Sequence, residues 1–132
     1  MVKYRIAFIC VHNSCRSQMA EAIAKHKYSD LFDFYSAGTT QVDAINPVAV
    51  EVIKQRYGID MNQNQGSKLV SVLPNINHVV TMGCNVDCPT IQCEQREDWG
   101  LEDPSGKNIQ AYLDTVELIE EKLDNLVSRL IN

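Results

Sequence analysis

Cys10 closes a short apolar run, Arg16 opens a patterned one, and only Val11, His12, Asn13, Ser14 and Cys15 lie between them. The spacing is C-x5-R, with a strand-like run before it and a helix-like run after it. In such an arrangement the amides of residues 11–17 and the first free N–H groups of the helix converge on one point and make an anion site. Arginine at the end of the loop adds a planar fork of donors that can grip two oxygens of a tetrahedral oxyanion. The same positive field favours the thiolate form of a cysteine placed there, and a thiolate is a nucleophile. Ser17 can hydrogen-bond that thiolate, and Asn13 can brace the loop through its side-chain amide. Alone, C-x5-R also describes a buried strand-end cysteine beside a solvated arginine. With Asn13, Cys15 and Ser17 in the same stretch, chemistry is the stronger reading.

A second group of thiols lies in "TMGCNVDCPTIQC", residues 81–93, which holds Cys84, Cys88 and Cys93. Five cysteines are an odd number for a disulfide framework, so catalysis, redox cycling or metal binding are the candidates. Zinc would need Cys84, Cys88, Cys93 and His78, but no C-x2-C pair is present, and no metal is expected. Lys3 and Arg5 precede "IAFICV", an apolar run too short for a signal-peptide core or a membrane span. The expectation is therefore a cytoplasmic protein with reduced thiols and no membrane partner. A net charge of −5 argues against a nucleic-acid binder, which usually carries a basic face. It leaves a local anion site open, because oriented backbone amides can hold an anion inside an acidic protein.

These residues need elements to hold them. Residues 3–10 suit a buried strand, and residues 16–28 an amphipathic helix with Met19, Ala20, Ile23 and Ala24 on its apolar side. "FDFYS", 32–36, reads as a second strand ended by Gly38. Asn46-Pro47 starts a helix that Val48, Val50, Val52, Ile53 and Tyr57 carry to Gly58. "INHVVTM", 76–82, reads as a third strand, and residues 94–98 as a short fourth. Ile109, Leu113, Val116, Ile119, Leu123, Leu126 and Leu130 mark a long final helix from about residue 106. Strands alternating with helices predict one α/β domain over 1–132, with a four-stranded parallel sheet flanked by helices. Ligands of such sheets sit beyond the carboxyl ends of the strands, where Cys10 and Cys84 both fall.

"CVHNSCRS" at 10–17 resembles the C-x-x-N-x-C-R-S signature of low-molecular-weight protein tyrosine phosphatases and the arsenate reductases that share their fold. The likeness continues through "SQMAEA" (17–22), "SAGT" (36–39), "NPVAVEV" (46–52), "VVTMGC" (79–84) and "EDWGLEDPSG" (97–106). The resemblance implies Cys10 as nucleophile, Arg16 as oxyanion binder and Asp103 as general acid. Asp-Pro-Ser-Gly is also good turn chemistry, and Glu102 and Asp98 are nearby carboxylates, so the acid is assigned by resemblance alone. Some relatives hold a potassium ion beneath the loop. Asn13, Glu21 and Ser36 match part of that arrangement, but "NQNQGSK" (62–68) does not complete it, and Lys68 can take the cation's place.

Both branches of this family begin with a thiolate meeting a tetrahedral oxyanion. A phosphatase then needs only water. Reduction of arsenate takes two electrons, which two thiols yield on forming a disulfide, and a third thiol moves that disulfide outward. By resemblance Cys84 and Cys88, the latter before Pro89, are the resolving pair, and Cys93 is a backup thiol. On a regular helix the side chains of residues four apart have Cβ atoms about 5–6 Å from each other, whereas a disulfide wants roughly 3.5–4.5 Å. Residues 83–89 are therefore expected to be looped and mobile, or to unwind on oxidation. Ser105 and Gly106 follow Asp103-Pro104, where the phosphatase branch tends to carry aromatic residues. The expected function is arsenate reduction, with phosphate as competing anion, a thioredoxin- or glutaredoxin-type reductant, no cofactor and a monomeric state. A phosphotyrosine phosphatase is the alternative.

Overall fold

The computed structural model describes residues 3–83 and 93–131. Cys84 and Cys88 lie outside the described residues, and so does the expected looping of residues 84–89. The chain runs β1 (Arg5–Cys10), α1 (Arg16–Tyr28), β2 (Asp33–Gly38), α2 (Pro47–Tyr57), α3 (Met61–Asn64), a 3-10 turn (Val70–Val72), β3 (His78–Thr81), β4 (Gln95–Asp98) and α4 (Ile109–Ile131). The four strands form one parallel sheet in the order β2-β1-β3-β4. The chain leaves β1 for one neighbour and later returns to the other. The carboxyl end of β1 is thus the switch point, where a parallel sheet opens a crevice.

Register brings chemistry to that end. Cys10 pairs with Gly38, Ile9 with Thr81, and Thr81 with Asp98, so all four strands finish at one edge. Along β1, Ile6 and Phe8 face a core shared with α1, α2, Met61 of α3 and α4. Ala7 and Ile9 face the other side, where Ala37, Ile76 and Val79 pack with Tyr35, Val70, Leu73 and Cys93. Alternate strand residues reach opposite faces, and among the described residues the helices gather on the first of them. Gln95–Asp98 is an edge strand with mostly exposed charged side chains, which discourages pairing with another sheet.

Helix ends follow their sequence signals. Asn46 caps α2 by accepting from Val48 and Ala49 N–H, Pro47 stands in the first turn, and Gly58 closes the helix in the left-handed region. The last helix starts at Ile109 rather than near 106. A turn closed by Lys107 N–H on Pro104 C=O intervenes, and the side chain of Asn108 caps the helix through Ala111 N–H. α1 departs from an amphipathic pattern, since Ser17 through Ala24 are all buried. It is wedged between the sheet on one side and α2 and α4 on the other. Its polar residues must therefore find partners inside the protein.

Candidate active site

The loop from Cys10 to Arg16 wraps a cavity lined by Cys10, Val11, His12, Ser14, Cys15, Arg16 and Asp103. Its volume is about 280 Å³, below the roughly 300–1,000 Å³ of clefts that hold drug-sized ligands. Cys15 occupies the N-cap position of α1 but makes no side-chain cap, and no acidic residue stands in the first turn. The first N–H groups of a buried helix are thus left for whatever enters the cavity.

Cys10 Sγ lies 2.8 Å from Ser17 Oγ. Asn13 Nδ2 donates to the same Ser17 oxygen at 2.8 Å, while Asn13 Oδ1 accepts from Lys68 N–H at 3.0 Å. A backbone N–H can only donate, so the orientation of the Asn13 amide is fixed by Lys68. Ser17 Oγ thus accepts from Asn13 and also bonds the Cys10 sulfur, to which its hydroxyl can donate when the sulfur is a thiolate. Asn13 holds φ at +52°, a left-handed backbone that asparagine tolerates better than most residues. Gly38 is required beside it, because a Cβ there would stand 2.5 Å from Val11 O and 2.9 Å from Cys10 O.

Arg16 spends its Nη1 on two backbone carbonyls, Met82 O and Leu101 O, each at 2.6 Å. Nε and Nη2, the edge of the guanidinium suited to a bidentate oxyanion, have no acceptor among the described residues. Asp103 reaches the same cavity, and its Oδ1 also accepts from Ser105 N–H at 3.0 Å, so it is both turn residue and cavity wall. Of the other two carboxylates, Glu102 pairs with Lys107 at the surface and Asp98 bonds Thr81 and Gly83. Cys15 is buried and packed. Burial pushes its thiol up to about 12, with Asp103 and Cys10 adding to the rise while a hydrogen bond with Ser105 and the charge of Arg16 oppose it.

Residues of the loop that the sequence singled out are brought together; Cys93, the one distant thiol among the described residues, is not with them. Cys93 belongs to the far end of the sheet. It lies two residues before Gln95, the partner of His78, and His78 pairs with Ile6, four residues before Cys10. At strand rise that puts Cys93 about 20 Å from Cys10 along the strands. His78, the fourth ligand of a hypothetical zinc site, gives its Nε2 to Glu97 at 2.7 Å. Trp99 is core, its ring tilted against Phe8 at 5.6 Å between centroids, and His12 is an exposed rim residue.

Glu21 sits buried below the loop. It takes the Ser36 hydroxyl at 2.5 Å and Lys25 Nζ at 2.5 Å, and Lys68 Nζ stands 3.6 Å away. Two ammonium groups thus meet the buried carboxylate.

Gln18 did not stand out in the sequence. Fully buried, its Nε2 donates to Asn13 O, Asn13 Oδ1 and Gly66 O, and its Oε1 accepts from Gln65. It ties the loop to Gln65 and Gly66, and no spacing rule marks a glutamine that joins Asn13 to partners 47 and 48 positions away.

Residues 5–132 match the family model of the low molecular weight phosphotyrosine protein phosphatases. An arsenate reductase of Staphylococcus aureus (strain Newman) is 39% identical over 134 residues, covering 98% of this chain and all of that one. Another from Shouchella clausii is 43% identical over 80% of this chain and 77% of its own. Among solved structures, an arsenate reductase in its phosphate-binding state superposes with a TM-score of 0.85 at 30% identity, over 96% of this chain and 98% of that one. A thioredoxin-dependent arsenate reductase of Corynebacterium glutamicum gives 0.76 at 28% identity, over 97% of this chain and 62% of that one.

Proposed function

The chain belongs to the low molecular weight phosphotyrosine protein phosphatase family, and we propose that within it this member reduces arsenate to arsenite with thiols as the electron source. One observation carries the reading. The cavity lined by Cys10, Arg16 and Asp103 brings together a cysteine bonded to a serine hydroxyl and an arginine edge with no acceptor among the described residues. Relatives named as arsenate reductases support the choice of anion.

Cys10 thiolate attacks arsenic and forms an S–As bond, and Asp103 hands a proton to the oxygen that departs as water. Arg16 and the loop amides hold the remaining oxygens. Cys84 thiolate then attacks the Cys10 sulfur. A Cys10–Cys84 disulfide forms, the S–As electron pair stays on arsenic, and arsenite leaves. Cys88 attacks Cys84, frees Cys10 and leaves a Cys84–Cys88 disulfide, which an external dithiol of the thioredoxin type reduces. Phosphate shares the tetrahedral shape and competes. The enzyme acts on free oxyanion in the cytoplasm as a monomer.

Arsenate turnover of the wild type and of Cys10→Ser, Cys84→Ser and Cys88→Ser tests this, with thioredoxin or with glutathione plus glutaredoxin. All three variants should lose thioredoxin-coupled turnover, while Cys84→Ser and Cys88→Ser retain slow hydrolysis of an aryl phosphate. Loss confined to Cys10→Ser would overturn the three-thiol relay. Brisk aryl phosphate hydrolysis by a wild type inert to arsenate would make the protein a phosphatase.

A further inference from the structure

Arg16 and Asp98 hold the two ends of one peptide group. The C=O of the Met82–Gly83 peptide accepts from Arg16 Nη1 at 2.6 Å, and its N–H donates to Asp98 Oδ1 at 2.9 Å. The same Asp98 oxygen takes the Thr81 hydroxyl at 2.5 Å. Thr81 and Asp98 are register partners at the carboxyl ends of β3 and β4, so the carboxylate is anchored to the sheet on which the loop rests.

From this geometry we infer that Asp98 is a positioning residue for the oxyanion-binding arginine, acting through the Met82–Gly83 peptide. Two physical effects run through that plane. A peptide whose N–H is donated to a carboxylate has a more polarised carbonyl, so it accepts more strongly from a cation at its other end. It is also harder to rotate. Gly83 stands at φ +97°, and a Cβ there would meet Leu101 O at 2.9 Å, so the backbone passes close against the second carbonyl that Arg16 holds. Without Asp98 the glycine joint is free to turn, and Met82 O turns away from the guanidinium with it. Nη1 then loses one of two fixed acceptors, and the Nε and Nη2 edge is no longer aimed at the cavity. Asp98 itself touches no reacting atom, and it is absent from the residues that line the cavity.

The inference rests on reading residues 10–17 as an oxyanion cradle, and its test avoids arsenate and the distal thiols. Iodoacetamide alkylation of Cys10 is followed by mass spectrometry of its peptide at rising inorganic phosphate, and protection gives an apparent Kd. Asp98→Ala should weaken phosphate by about tenfold, the worth of one charge-assisted hydrogen bond felt indirectly. Asp98→Asn, which keeps the acceptor and drops the charge, should fall between the two. Thr81→Val, which leaves the peptide clamp in place, should stay near wild type. In an Arg16→Lys background, Asp98→Ala should have no further effect, because the group it positions is gone. Equal phosphate affinity in the wild type and Asp98→Ala overturns the inference, and so does an undiminished effect in the Arg16→Lys background. Where Asp98→Ala does not fold, an Asp98→Asn variant with wild-type affinity does the same. A wild type that phosphate fails to protect would instead remove the cradle, and this inference with it.

Discussion

Cys10 and Cys15 share one loop and are equally buried, yet they have different neighbours. Cys10 is in contact with the Ser17 hydroxyl that Asn13 also bonds, whereas burial holds the Cys15 thiol up to about 12. Removing the donor with Ser17→Ala should slow Cys10 alkylation at neutral pH by about tenfold, the cost of roughly one net hydrogen bond to a charged group. An unchanged rate would remove Ser17 from the nucleophile's support. Cys15 makes a prediction of its own about alkali. Its folded thiol holds a proton that the unfolded chain releases from about pH 8.5 upward. Unfolding therefore sheds protons between that pH and about 12, and stability falls as pH rises through this window. Tyr28 and Tyr57, also held above the usual tyrosine range, act in the same direction, so the measurement is a comparison. Chemical denaturation of Cys15→Ala at pH 8 and pH 10 should show a smaller alkaline loss than the wild type. At this scale the sequence was most readable where chemistry is local. Cys10, Asn13, Arg16 and Ser17 lie within eight consecutive residues, so their grouping could be read before their distant partners were known. Gln18 and the peptide-mediated part of Asp98 stayed hidden because their meaning depends on residues 66 and 82–83, which only folding brings near.

Elements set the cradle's shape as firmly as side chains do. The loop rests against the end of β2, where Gly38 N–H donates to Lys68 C=O and Thr40 N–H to Val11 C=O. Gly38→Ala drives a methyl group into Val11 O and Cys10 O, both backbone atoms that cannot swing aside. It should lower stability by about 1–3 kcal/mol, the usual cost of overpacking, and phosphate should no longer protect Cys10 from alkylation. Protection at wild-type strength would show that the loop moves freely and is not preformed. Sequence rules worked for elements with strong punctuation: Asn46-Pro47 and Gly58 bounded α2, and the apolar stripe of α4 placed Val116, Ile119, Leu123 and Leu126 in the core. They failed for α1, where an amphipathic reading met a helix buried all round, because neighbours from three directions close over Ser17, Gln18 and Glu21. They also missed α3, whose four residues are too few to show a period.

For the molecule as a whole, a parallel sheet has two ends with different duties. Cys10, Arg16, Thr81 and Asp98 meet at the carboxyl end, and Cys93, two residues before the first residue of β4, lies toward the other. Cys93→Ser should leave thioredoxin-coupled arsenate turnover at the wild-type rate, and a large loss would show that a thiol far from the nucleophile still joins the relay. Fold class was readable because alternating strand and helix signals admit few arrangements, and the switch point told where to look. The separation of Cys10 and Cys93 follows from the same signals, since a residue that ends one parallel strand and a residue that precedes another lie at opposite ends of the sheet. A last consequence follows from the missing side-chain cap at Cys15. A buried helix that begins without a cap is completed by its ligand, so the folded protein and the anion are thermodynamically linked. At a hundred times its Kd, a bound anion adds about 2.7 kcal/mol to folding. Phosphate, which occupies the site at arsenate's expense, would then also protect the enzyme from unfolding: the competitor that slows it preserves it.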